Sequence, residues 1–197
     1  MIITKLNCQA KPNPQGKGLV PVLQDWSGLQ TGVLGPKSPA DFIRDYCISS
    51  LILSANFRFK PVVEKPYFLY ANEHKMSLSL IAPHEWGQYQ PGEFLGTCQL
   101  RRDMTWAIDL SELEEHSPAL AIAREFVREF IVTFSKQDSI RRNLPFYVKE
   151  LPYYRGRLAT ALASSLQRSL PEAGDDAKAL FSEQRALFSI MPSLLQA

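Results

Sequence analysis

The chain has little of what most active sites are built from. Only three histidines and three cysteines stand among its 197 residues, and the cysteines, Cys8, Cys47 and Cys98, are odd in number and far apart. That spacing offers neither a disulfide framework nor a paired-cysteine metal knuckle. Three reduced, mostly buried thiols are expected, with no metal and no cofactor. There is no glycine-rich phosphate loop, no GxSxG elbow, no HExxH pair and no Cys/His cluster, which removes the motif-borne nucleotide, hydrolase and zinc-protease readings. No run approaches the roughly 18 to 20 apolar residues of a membrane span. The opening MIITKLNCQAKPNPQGKG also lacks an apolar core ahead of a small-residue cleavage site. A soluble, cytoplasmic protein with no membrane partner is expected.

What is present is an ordinary globular composition. With 45% hydrophobic against 21% charged residues, the chain can bury one core and is not disordered throughout. Its net charge of +2 conceals an uneven spread: +3 over residues 1–38, −4 over 39–116, +5 over 117–168 and −2 beyond. Residues 1–37, with Pro12, Pro14, Pro21 and Pro36 and five glycines, are too broken for a long regular element. They read as an irregular Pro/Gly-rich arm, whose Leu19, Val20, Val22, Leu23 and Trp26 are too apolar for water and should lie across the body of their own or a neighbouring subunit.

Residues 67–110 are the stretch around which the rest is arranged. Tyr67, Leu69 and Ala71 alternate with Phe68, Tyr70 and Asn72, and Glu73, His74 and Lys75 can close a hairpin. Met76, Leu78, Leu80 and Ala82 alternate with Ser77, Ser79 and Ile81, so residues 76–82 read as a strand with one buried face. Pro83 stops it. His84, Glu85, Trp86 and Gly87 then form a corner before a loop through Pro91 and Gly92. Residues 94–100 and 105–110 read as two more strands around a bend at Arg101, Arg102 and Asp103. Ser38 with Pro39, and Ser117 with Pro118, are helix starts. In the first helix Phe42, Ile43, Tyr46, Cys47, Ser50 and Leu51 mark one face, and in the second Ile122, Ala123, Phe126, Val127, Phe130, Ile131 and Phe134 do so. A further helix is predicted over 153–170, and a last one after Pro171, Gly174 and Asp175. The fold class is therefore α+β: a small antiparallel β-meander of about four strands packed by helices over 38–55 and 117–136. The core domain is 38–136, and residues 137–197 form a helical C-terminal extension.

Three places could carry function. His84 beside Glu85 and Trp86 places a His and a carboxylate together at a strand end, where a general base could sit. Arg101, Arg102 and Asp103, followed by Trp106, could grip an anion, since guanidinium groups suit carboxylates and phosphates. His84, Glu85, Trp86, Arg102, Asp103 and Trp106 are thus six candidates for a small-ligand or enzyme site, in a pocket lined by Trp86, Tyr89, Arg102 and Trp106. Arg141, Arg142, Tyr153, Tyr154, Arg155 and Arg157 interleave cations with rings over 141–157, as a single-stranded nucleic-acid surface would. Turn caps, a solvated hairpin tip and core-anchoring aromatics are the competing structural readings. The leading functional expectation is a non-enzymatic interaction module that holds a protein partner or a second copy of itself; weak nucleic-acid binding and the ligand pocket are the alternatives.

Asn13, Pro14, Gln15 and Gly16, then Leu69, Tyr70, Ser79, Ile81, Pro83, Glu85, Trp86 and Gly87, then Phe94, Leu95, Gly96, Leu100, Asp103 and Trp106 together resemble a domain-of-unknown-function family with bacterial and eukaryotic members. The resemblance covers residues 12–110, with a gap in register between Gly28 and Ser54. It implies no activity, cofactor or catalytic residue. It does imply that the His84–Trp86 corner and the Arg102–Trp106 hairpin belong to the family's pattern, with Glu85 and Asp103 fixing turns, and that residues 117–197 extend the shared part.

Overall fold

Ser38 opens the first helix by accepting the backbone N–H of Asp41 on its hydroxyl oxygen at 3.1 Å. Pro39 occupies the first turn, where no amide is missed, and Asp41 sits at the positive end of the helix dipole. The computed structural model describes residues 37–72, 75–135 and 153–173. Helix α1 spans Pro39–Ser54, followed by strands β1 (Pro66–Asn72), β2 (Lys75–Ser79), β3 (Glu93–Leu100) and β4 (Trp106–Leu110), then helices α2 (Pro118–Ser135) and α3 (Tyr153–Ala173). The arm before Lys37, the Glu73 and His74 tip, residues 136–152 and the expected last helix lie outside the described residues.

The four strands form one antiparallel sheet, so the α+β class holds, but their order is β2-β1-β3-β4. The meander is thereby corrected at one connection: β3 pairs with β1, not with β2. The reason lies in β1, the most aromatic strand, whose Tyr67, Leu69 and Tyr70 are buried on opposite faces. A central place covers both. Flanking β1 antiparallel on either side, β2 and β3 run parallel to each other, and a parallel pair needs a crossover of about a dozen residues. Residues 80–92 supply it by crossing over β1.

β2 is also shorter than the predicted 76–82. The Ser79 hydroxyl oxygen accepts the amide of Ile81 at 3.0 Å, a side-chain turn that competes with the ladder. Leu80 therefore leaves the buried face and is 60% exposed. The outer edge of β2 is taken by Asn56, whose N–H donates to the Met76 carbonyl at 2.8 Å and whose carbonyl accepts from Leu78 at 3.0 Å.

One face of the sheet carries Tyr67, Leu69, Leu78, Cys98, Leu100 and Trp106 into a single core with α1, α2 and α3. Helix α1 was expected to be amphipathic, yet Ile48, Ile52 and Leu53 are buried along with Phe42, Ile43 and Leu51. The sheet, α2 and α3 all pack on it, so more than one apolar stripe of the helix is covered. Leu158, Leu162 and Leu166 bring α3 into the same core.

Gly96 sits in β3 close against the backbone of β4: a Cβ there would stand 2.4 Å from the Asp109 carbonyl oxygen and 3.0 Å from Leu110 Cα, both backbone atoms. Gly96→Ala is expected to cost about 1–3 kcal/mol by overpacking, read from urea unfolding. Gly87→Ala, with open space around it, serves as the neutral comparison, and equal midpoints for the two variants would show that the β3–β4 contact can give.

Candidate functional site

Burial of α1 forces Asp45 out of water, and the chain answers with cations. Asp45, 2% exposed, accepts from Lys37 Nζ at 2.8 Å and from Arg101 Nη1 at 3.0 Å, with Arg44 Nε 3.7 Å away. Lys37 Nζ also donates to Asp103 at 2.6 Å. Asp103 in turn accepts the amide of Thr105 at 3.0 Å and its hydroxyl at 2.6 Å, while Met104 takes a left-handed φ of 65° that lets the bend close. The Trp106 amide donates to Ser49 Oγ at 2.9 Å. This network ties the start of α1 to the β3–β4 hairpin. Burial pushes the Asp103 carboxyl up, but the bonds from Lys37 and Thr105 prevail and hold it below the usual range. Burial likewise pulls Lys37 down, and its bonds to Asp103 and Asp45 outweigh it and raise the ammonium.

The hairpin residues therefore part company. Arg102 turns outward and pairs with Glu64 through two bonds of 2.7 and 3.1 Å. Asp103 turns toward Lys37. Trp106 is fully buried, edge-on to Tyr67 at 5.9 Å on the helix-covered face.

The other corner lies on the opposite, open face. Glu85 Oε2 accepts the Ala82 amide at 2.7 Å and closes the short turn Pro83–Glu85. Trp86 packs edge-on to Tyr70 at 6.0 Å, and its Nε1 shares the Ile81 carbonyl, at 3.3 Å, with the Tyr70 hydroxyl at 2.9 Å. Tyr70 also meets Phe94 at 5.6 Å, and Phe94 meets Phe68 at 6.2 Å. His84 points to solvent. With Trp86 on the Tyr70 face and Trp106 on the Tyr67 face, the sheet stands between them, and the six residues read as one pocket are not brought together. The crossing instead presents Leu80, Ile81 and Tyr89 outward, at 60%, 39% and 87% exposure.

Arg141 and Arg142 lie outside the described residues. Arg155 donates to the Ala55 carbonyl at 2.9 Å and to Asn56 Oδ1 at 3.3 Å and lies over the Phe57 ring. Burial lowers the affinity of its guanidinium for its proton. Arg157 lies over the Tyr153 ring, which is edge-on to Tyr154 at 5.3 Å. Tyr153 is exposed and Tyr154 half-buried. Sequence reasoning passed over Lys37, Asp45 and Ser49, and read Arg101 as part of an anion grip rather than as a partner of Asp45. A signal for Asp45 existed: an acid inside a helix whose Ile48, Ile52 and Leu53 extend the apolar face must be buried, and a buried acid must be paired.

Among the described residues no group of three or more His, Cys, Asp or Glu side chains could hold a metal ion, and no helix is long and apolar enough to cross a membrane. Residues 51–129 match a family described as "Protein of unknown function (DUF2452)". The match takes in the last turn of α1, the whole sheet, the crossing and most of α2. It starts after the arm and runs beyond residue 110, so the first two thirds of α2 fall within the family's span. No curated protein matches the chain, and no solved structure does.

The network sets a pH dependence. Because the folded value of Asp103 lies below its unfolded one, near 4, its contribution is present above about pH 4 and is lost as pH falls through the folded value. Lys37, raised above its usual value near 10, contributes below that pH and loses its share as pH rises through the folded value. Asp103→Asn is expected to cost about 1.5–3 kcal/mol at pH 7 and to flatten the acid limb of stability against pH. Urea midpoints from pH 2 to 7 measure both, and an unchanged acid limb would count against the bridge.

Proposed function

We propose that this protein is a non-enzymatic interaction module that holds a protein partner on the crossing over its open sheet face. The observation that carries this reading is the run of Leu80, Ile81 and Tyr89, exposed beside a packed aromatic base of Tyr70, Trp86 and Phe94. Exposed apolar side chains carried by one connection beside a fixed aromatic base are a usual form of contact surface. The acid of the crossing supports the same reading, since Glu85 is committed to its turn. A reducing, cytoplasmic setting suits the core, where burial pushes the Cys47 thiol up to about 12 and raises that of Cys98 as well, which disfavours the nucleophilic thiolate.

A photo-crosslinking side chain placed at Tyr89 in the full chain, expressed in cells, is expected to form a discrete adduct identifiable by mass spectrometry as a partner or a second copy. The purified partner should then bind the chain at least tenfold more weakly when Leu80→Asp and Tyr89→Asp are combined. Those exposed substitutions should shift stability by no more than about 0.5 kcal/mol. Equal affinity for the variant and the parent chain would sink the reading.

A further inference from the structure

The two outer strands of the sheet end differently. The free edge of β2 is occupied by Asn56, whereas that of β4 is occupied at one end only. In an antiparallel ladder, residues alternate between those whose N–H and C=O face the neighbour and those whose groups face away. Arg101 donates to the Thr105 carbonyl at 2.8 Å, which puts Thr105, Ala107 and Asp109 on the inward set and Trp106, Ile108 and Leu110 on the outward one. The Trp106 amide is taken by Ser49 of α1. No hydrogen bond among the described residues takes the outward groups of Ile108 and Leu110.

The side chains around this edge select what can add to it. Ile108 and Leu110 lie on the helix-covered face and are only half-buried, so a fifth strand would lay alternate apolar side chains beside them. Its other side chains would fall beside Asp109, on the open face. Asp109, Glu112 and Glu114 are exposed, and none is in an ion pair among the described residues. A second copy is a poor occupant, because the twofold antiparallel register that engages both Ile108 and Leu110 sets Asp109 directly against its own copy, and like charges facing across a ladder repel.

We propose that the free edge of β4 accepts, by strand addition, an extended segment of another protein in which apolar residues alternate with Lys or Arg. The site is separate from the crossing and does not depend on it. Main-chain bonds to Ile108 and Leu110 supply the affinity, and Asp109 with Glu112 and Glu114 supplies the preference for a basic strand.

The test titrates the full chain with a fluorescein-labelled, acetylated (Val-Lys)3 peptide at low salt and follows anisotropy, with hydrogen exchange at Ile108 and Leu110 read by NMR. Binding is expected, with at least tenfold slower exchange at those two amides. The affinity should fall tenfold or more for Asp109→Lys, whose side chain makes no bond the fold needs, and for a peptide N-methylated at alternate residues, which keeps its charge but cannot pair. Tyr89→Asp should leave the titration unchanged, so that failure here and failure at the crossing are told apart. No binding, binding that survives N-methylation, or binding without protection of Ile108 and Leu110 would each overturn the proposal, the second by showing charge attraction alone.

Discussion

β1 is buried on both of its faces. Tyr67 and Leu69 face the helices, while Tyr70, with no exposed surface, faces the opposite way. A strand apolar on one face could have lain at an edge or turned its polar side to water. This one has to be flanked by strands on both sides and roofed on the second face as well. The crossing provides that roof through Trp86 and the Ile81 carbonyl, and in doing so it carries the chain from β2 to β3. Sheet order, the long connection and the outward set of Leu80, Ile81 and Tyr89 are consequences of one strand's need for cover. Pro83 and the Glu85 turn keep the connection close to the sheet from its start.

On the covered face the same logic applies to charge. α1 is enclosed by the sheet and two helices, so Asp45 is carried inward with it. An isolated buried carboxylate would be strongly destabilising, and pairing removes most of that penalty without making the network a large net source of stability. What the pairing adds is position. Lys37 bridges Asp45 and Asp103, and Ser49 holds the Trp106 amide, so the hairpin leading into β4 is anchored to the helix. The edge that β4 presents is thereby held at its beginning, while among the described residues no hydrogen bond takes the outward groups of its second half.

The family match covers this sheet and its crossing but ends within α2. α3 lies outside the match and yet fills the core against α1 with Leu158, Leu162 and Leu166. Arg155 further ties its first turn to Ala55 and Asn56, the connector that guards the β2 edge. The Asn56 bridge that closes one end of the sheet is thus braced by a segment beyond the matched span.

The sequence by itself determined the local pieces. Ser38 with Pro39 and Ser117 with Pro118 start helices because a hydroxyl cap and a missing amide act within one turn. Alternation over 66–72 and 93–100 makes strands because a pleat has a period of two, and Asp103 makes a bend because its carboxylate reaches an amide two residues on. Glu85 was legible as a turn residue for the same reason. Only the tertiary structure decided which strand pairs with which, since hydrophobic alternation states that a face is buried and not against what. It also decided that Trp86 and Trp106 lie on opposite sides of the sheet, which follows from the parity of Tyr67 and Tyr70 once the crossing runs over β1. And it alone assembled Lys37, Asp45, Arg101 and Asp103, because charges 66 residues apart in the chain meet only when an enclosed helix leaves its acid no other partner.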